Sequence, residues 1–226
     1  CGYAYTANNR IVDERYPHYI GLDFAPGFRA ERLHERLRGL TGATVEDMAA
    51  IHADVGSLPA QGFRAVYDRV RPEDALSGQA LTLLRAWDCR VTAESPAPTV
   101  FATWRKHILL RLFTPQLDAG LLREILAAVD RGANGLLTRT QARLQALIAE
   151  DDASLLPAGA LWPELISAAL ADAVRELAAR LGPDPAQWRW EREHRTAAVH
   201  LLAAQHPEGA SALNPAPRRM GGDGDT

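Results

Sequence analysis

Over residues 161–181 the sequence sets Leu161, Leu165, Ile166, Leu170, Val174, Leu177 and Leu181 at helical spacing. That spacing puts all seven on one face of an α-helix, an apolar stripe that is stable only when something apolar covers it. Pro163 fits the first turn, where a missing N–H costs nothing. Gly-Pro-Asp-Pro at 182–185 stops the helix. A stripe this long commits the chain to a layered core with this helix inside it.

Further helical segments supply candidates for the opposing layer. Residues 73–88 carry Leu76, Ala80, Leu83, Leu84 and Trp87 on one side, and residues 98–113 carry Phe101, Trp104, Ile108 and Leu112. The stretch between them, DCRVTAESPAP, reads as a loop with two prolines. Residues 27–38 form a short amphipathic helix ended by Gly39 and Gly42. Thr44 followed by Asp47 is a capping-box start for the segment TVEDMAAIHADV, with Val45, Met48, Ala49, Ile51 and Val55 expected on its buried side. Residues 117–130 and 136–150 are two more helical stretches, separated by Gly132, Asn134 and Gly135. Residues 2–7 alternate and are aromatic-rich, which suits a strand. After Trp188 and Trp190 the pattern is less regular, and residues 207–226 are rich in glycine and proline. The expected fold class is mainly α, five to seven helices with strand ends at both termini, as in an insertion or a helical layer of a larger α/β protein. No internal repeat is evident.

At 226 residues the chain is long enough to bury a core. Hydrophobic residues make up 47%, charged residues 23%, and the net charge is −3, a globular balance without the basic footprint of a nucleic-acid binder. No apolar run is long enough to span a bilayer. Arginine carries nearly all the positive charge, since Lys106 is the single lysine. The chain begins without methionine in CGYAYTA and closes on MGGDGDT, and it reads as an internal piece of a longer one.

Most of the familiar chemical motifs are missing. Cys1 and Cys89 belong to no CxxC pair, and nothing supports a disulfide between them. His194, His200 and His206 stand six apart, which is not the spacing of a helical metal site. The acidic pairs Glu46–Asp47, Glu73–Asp74 and Asp151–Asp152 read as helix-start acids. The GGDGD run lacks the lysine and hydroxyl of a P-loop and the spacing of an EF-hand. A terminal cysteine can act as a nucleophile with its own amine as base, but Cys1 sits in strand-like sequence. The remaining candidates are Asn8 and Asn9. Asparagine suits a turn because it tolerates left-handed geometry. A rigidly held side-chain amide can also serve as an oxyanion donor. Spacing alone leaves both readings open.

The ordered run YTANNRIVDERYPHYIGLDFAPGFRAERLHERL, then TVEDMAAIHADV, then LLRAWDCRV, then WRWEREHRTAAVH and finally GGDGDT resembles the β-chain of the penicillin acylase (penicillin amidase) family of Ntn hydrolases, over essentially the whole chain. The resemblance implies an αββα sandwich, a precursor that cleaves itself, and an N-terminal serine nucleophile, which is not in this sequence. Its substrates are acylated small-molecule amides, such as β-lactam side chains or N-acyl homoserine lactones. Its partners are the α-chain and the remainder of the β-chain from the same precursor, and many members are periplasmic or secreted.

Carried over residue by residue, the resemblance makes Asn8 the oxyanion donor and Arg29, in FRAERL, its supporting arginine. Some members hold a structural calcium ion. No ligand for it aligns here, so no cofactor or metal is expected in this segment, and no nucleic-acid or membrane partner. Cys89 stands where a glycine usually follows Trp-Asp, and His52 where glutamine is common. In this reading residues 1–226 are a single partial domain: strand and oxyanion turn at 1–25, helices at 26–206, and a glycine/proline-rich return at 207–226. The excised segment is expected to be inactive and only marginally folded. The alternative is a non-catalytic α-helical interaction domain.

Overall fold

The computed structural model describes residues 2–130 and 135–226, leaving aside the side chains of 125–130 and 135–139. Cys1 and the separator residues Gly132 and Asn134 therefore lie outside the described residues. In chain order the helices are α1 (Phe28–Leu37), α2 (Val45–His52), α3 (Leu58–Gly62), α4 (Arg64–Tyr67), α5 (Ala75–Ala86), α6 (Ala97–Phe113), α7 (Ala119–Asp130), α8 (Gly135–Ala149), α9 (Trp162–Leu181) and α10 (Ala210–Leu213). Short 3₁₀ turns join several of them. Among the described residues no helix is long and apolar enough to cross a membrane.

The predicted stripe is the centre of the fold. α9 starts with Pro163 in its first turn and ends at Gly182, whose φ of 98° is open to glycine and unfavourable for other residues. Leu165, Ile166, Leu170, Val174 and Leu177 are buried. α6 packs antiparallel along them: its Lys106 and His107 meet Glu176, and its Arg111 meets Asp172 nearer the start of α9. Phe101, Trp104, Ile108 and Leu112 all enter the core, and Trp104 donates its indole N–H to the Ile166 carbonyl at 2.8 Å. α5 closes the layer with Ala80, Leu81 and Leu84. It begins where Asp74 accepts the Ser77 N–H at 2.7 Å, satisfying one of the free donors at the helix start.

Four expectations are corrected, and the described residues hold ten α-helices, several of them short, where five to seven were expected. Residues 2–7 form no strand, and no strand occurs among the described residues; the nearest pairing is an isolated bridge just after the segment, Asn9 with Ala25. A strand needs a neighbour to take its ladder of N–H and C=O groups, and among the described residues none pairs with residues 2–7. At the other end, residues 207–226 include a 3₁₀ turn (Pro207–Gly209) and α10, and their pairing is again a single bridge, Arg195 with Arg219. α2 has its capping box, with Thr44 and Asp47 each accepting the other's backbone N–H, but none of its side chains is buried. Val45, expected inside, is 80% exposed. Leu161, expected on the α9 stripe, precedes the helix and is exposed.

The return segment is folded back onto the helices. Gly222 donates its N–H to the Val91 carbonyl at 2.7 Å, and its own carbonyl accepts from the Trp190 indole at 2.9 Å. Arg105 on α6, almost wholly buried, reaches Asp225 at 3.2 Å. A Cβ at Gly221 would stand 2.6 Å from the Val91 carbonyl oxygen, so only glycine allows this approach. Burial raises the Asp223 carboxyl above the usual range, against the backbone N–H groups of Asp225 and Thr226 that hold it down.

Candidate active site

The return segment brings Thr226 to the rim of a cavity of about 320 Å³ that is also lined by Thr6, Ala7 and Asn8. The opposite wall is α1, whose Arg29, Arg32 and Arg36 share a face by their spacing of three and four. Ile51, His52 and Asp54, from the end of α2 and just after it, complete the lining.

The two asparagines have different surroundings. Asn9 turns inward on its own loop: its Oδ1 accepts the Ala7 N–H at 3.1 Å, and its Nδ2 donates to the Arg10 carbonyl at 3.0 Å. Asn8 has φ of 60°, a left-handed conformation that asparagine adopts more readily than most residues. Its carbonyl accepts the Ala25 N–H at 2.8 Å. Its side chain meets Arg29, which donates through Nη2 to Asn8 Oδ1 at 2.8 Å and to the Ala7 carbonyl at 2.9 Å. A guanidinium has donors only, so the amide atom facing it must be the oxygen. Nδ2 is then directed away from Arg29, and among the described residues no acceptor takes it. The sequence-predicted pair, Asn8 and Arg29, is thus in direct contact, and the contact fixes which way the amide points.

The neighbouring charges are tightly paired. Asp54, with a side chain only 8% exposed, accepts from Arg32 at 2.8 Å and lies 3.4 Å from Arg36 and 4.0 Å from Arg90. Its second oxygen accepts the Gly56 N–H at 3.0 Å. Arg32 also reaches Glu35 at 2.9 Å. Burial alone would lower the Arg32 pKa, but Glu35 and Asp54 outweigh it and hold the guanidinium more firmly protonated. Arg29 differs: among the described residues no carboxylate lies within ion-pairing distance of it. A fixed, uncompensated cation beside an amide donor suits a centre where negative charge develops.

Sequence reasoning missed Asp54, Arg36 and Thr226 as neighbours of this pair. The arginine spacing on α1 was visible, but the convergence of three arginines on Asp54 is tertiary. Among the described residues no three His, Cys, Asp or Glu side chains are grouped so as to hold a metal ion.

Comparison with known proteins agrees with this architecture. A solved structure, a thermostable penicillin G acylase from Alcaligenes faecalis in an orthorhombic form, matches 81% of this chain and 37% of its own with a TM-score of 0.55 at 21% identity, so the fold is that of part of a penicillin acylase. The family model for penicillin amidase matches residues 1–226. The chain belongs to the penicillin amidase family. A relative, the penicillin acylase 2 proenzyme of Pseudomonas sp. (strain SE83), is 36% identical over 228 aligned positions that take in all of this chain. The chain spans 28% of that relative's length.

Proposed function

We propose that this chain is part of an amidohydrolase that cleaves the amide bond of an acylated small molecule, a β-lactam side chain or an N-acyl homoserine lactone being representative substrates. The nucleophile is an N-terminal serine outside residues 1–226, exposed when a precursor cleaves itself. In the intact protein the helices described here flank an αββα sandwich, as one partial domain. The serine attacks the amide carbonyl, the oxygen takes up negative charge, and the amine leaves to give an acyl-enzyme that water hydrolyses.

Asn8 is the oxyanion donor in this reading and Arg29 its support. One observation supports it: Arg29 grips Oδ1 of an asparagine held at positive φ, which leaves Nδ2 as a donor with no acceptor among the described residues, beside a cavity. Replacing Arg29 by lysine would lose the planar fork that serves Ala7 and Asn8 together. Exposed apolar residues in the flanking segments, among them Tyr19, Leu22 and Leu201, support further chain from the same precursor packing there.

The test is Asn8→Ala in the full-length precursor. Loss of one oxyanion donor lowers kcat by about 10²–10³-fold, with KM little changed because the donor acts on the transition state. Hydrolysis at the parental rate, with self-cleavage intact, overturns the assignment.

A further inference from the structure

Among the described residues Asp54 shares no hydrogen bond with Asn8, yet it lines the same cavity and has three arginines within 4.0 Å. Two of its three arginines, Arg32 and Arg36, come from the face of α1 that also carries Arg29. The third, Arg90, comes from the segment bridged to Gly56. The fit is close: a Cβ on Gly56 would lie 3.1 Å from Nε and Nη2 of Arg32, so the backbone here is cut to the guanidinium. Asp54 therefore clamps the middle of α1 against the 54–56 segment. The first turn of the same helix holds the Asn8 amide through Arg29. A rotation or slide of α1 would move the Arg29 fork and with it the direction of Nδ2.

From this arrangement we propose that Asp54 is a positioning residue for the Asn8 amide, acting through the arginine face of α1. The proposal rests on Asn8 being the oxyanion donor. It makes Asp54 matter to catalysis only as far as Asn8 does. Asp54→Asn is the informative substitution. It keeps the side-chain shape and the acceptor for the Gly56 N–H, leaves Arg32 paired with Glu35, and removes the charge that draws Arg32, Arg36 and Arg90 together.

The experiment is a double-mutant cycle in the full-length, self-processed enzyme, with kcat and KM measured on one amide substrate. The expected result is a kcat about tenfold lower for Asp54→Asn with KM little changed, since small misplacements of a catalytic group are costly. In the Asn8→Ala background the same substitution should change kcat by less than about twofold, the non-additivity of residues acting as one unit. An equal loss in both backgrounds overturns the positioning role and leaves the oxyanion reading standing. A parental kcat for Asp54→Asn overturns it as well. A parental kcat for Asn8→Ala overturns the oxyanion reading itself, and the positioning role with it. Should Asp54→Asn fail to mature, Gly56→Ala keeps every charge and displaces Arg32 by a few tenths of an ångström. It should lower kcat about threefold in the parent and leave the Asn8→Ala enzyme unchanged, and the same loss in both, or none in the parent, decides against the proposal.

Discussion

At the scale of single residues, two non-glycine positions with left-handed backbone explain different things. Asn8 accepts φ of 60° because its residue type tolerates it, so the turn was legible in the sequence. Cys89 has φ of 63° and is buried, with its Sγ 3.4 Å from Arg64 Nε and its carbonyl accepting the Ser57 N–H. That backbone is why a glycine suits the position after Trp-Asp. Cys89→Gly relieves a backbone cost of about 1–2 kcal/mol and gives up a buried thiol of comparable worth, so stability should change by less than about 1 kcal/mol. Cys89→Val adds a branched side chain at positive φ in a packed site and should cost about 2–3 kcal/mol. Urea unfolding of the two variants against the parent checks both. The sequence signalled Cys89 only as a departure from a pattern. Asp54 gave no signal, because a lone aspartate before Val-Gly looks like any surface acid until three arginines converge on it.

Among elements, periodicity was reliable where a helix is long and covered. α6 and α9 bury the residues that spacing assigned to their inner faces, apart from Leu161 and the partly buried Leu181 at the two ends of the α9 stripe. The stripe was over-read by one residue at Leu161, since Pro163 in the first turn starts the helix after it. Ile166→Ala or Leu170→Ala should cost about 2–5 kcal/mol, as for large-to-small changes in a packed core, whereas Leu161→Ala should stay within about 0.5 kcal/mol. Chemical denaturation of the three variants separates these outcomes. α2 was misread for a different reason. Its capping box fixes where an eight-residue helix begins, and Ile51 and His52 at its far end reach the cavity wall. Val45 stays 80% exposed and Met48 36% exposed. Amphipathic spacing states that a face can be buried, and a single sequence does not say by what.

For the whole molecule, the core legible from the helical pattern and the candidate site suggested by motif order are held together differently. The helical core is continuous, from Ala60 in α3 to Trp188 after α9. The segment leading from the Asn8 turn to α1 is sparsely tied: between Arg10 and Phe24 the one backbone–backbone hydrogen bond among the described residues is Tyr16 N–H to Asp13 at 3.3 Å. Amide hydrogen exchange of the chain should therefore be slowest in α6 and α9 and fastest at residues 10–24. Comparable protection in both would show that the segment is held by more than these contacts. The strand ends were legible only as strand-like sequence, since a strand is completed by a neighbour and no ladder forms among the described residues. The meeting of Thr6, Ala7 and Asn8 with Thr226 across one cavity has a consequence for how such a chain can change. Everything between the two segments is a detour that departs from and comes back to the same spot. Helices of the detour that line no part of the cavity, such as α7 and α8, can be lengthened, shortened or reshaped by insertion with the displacement carried outward, whereas α1 and residues 51–54, which line it, are held to their places.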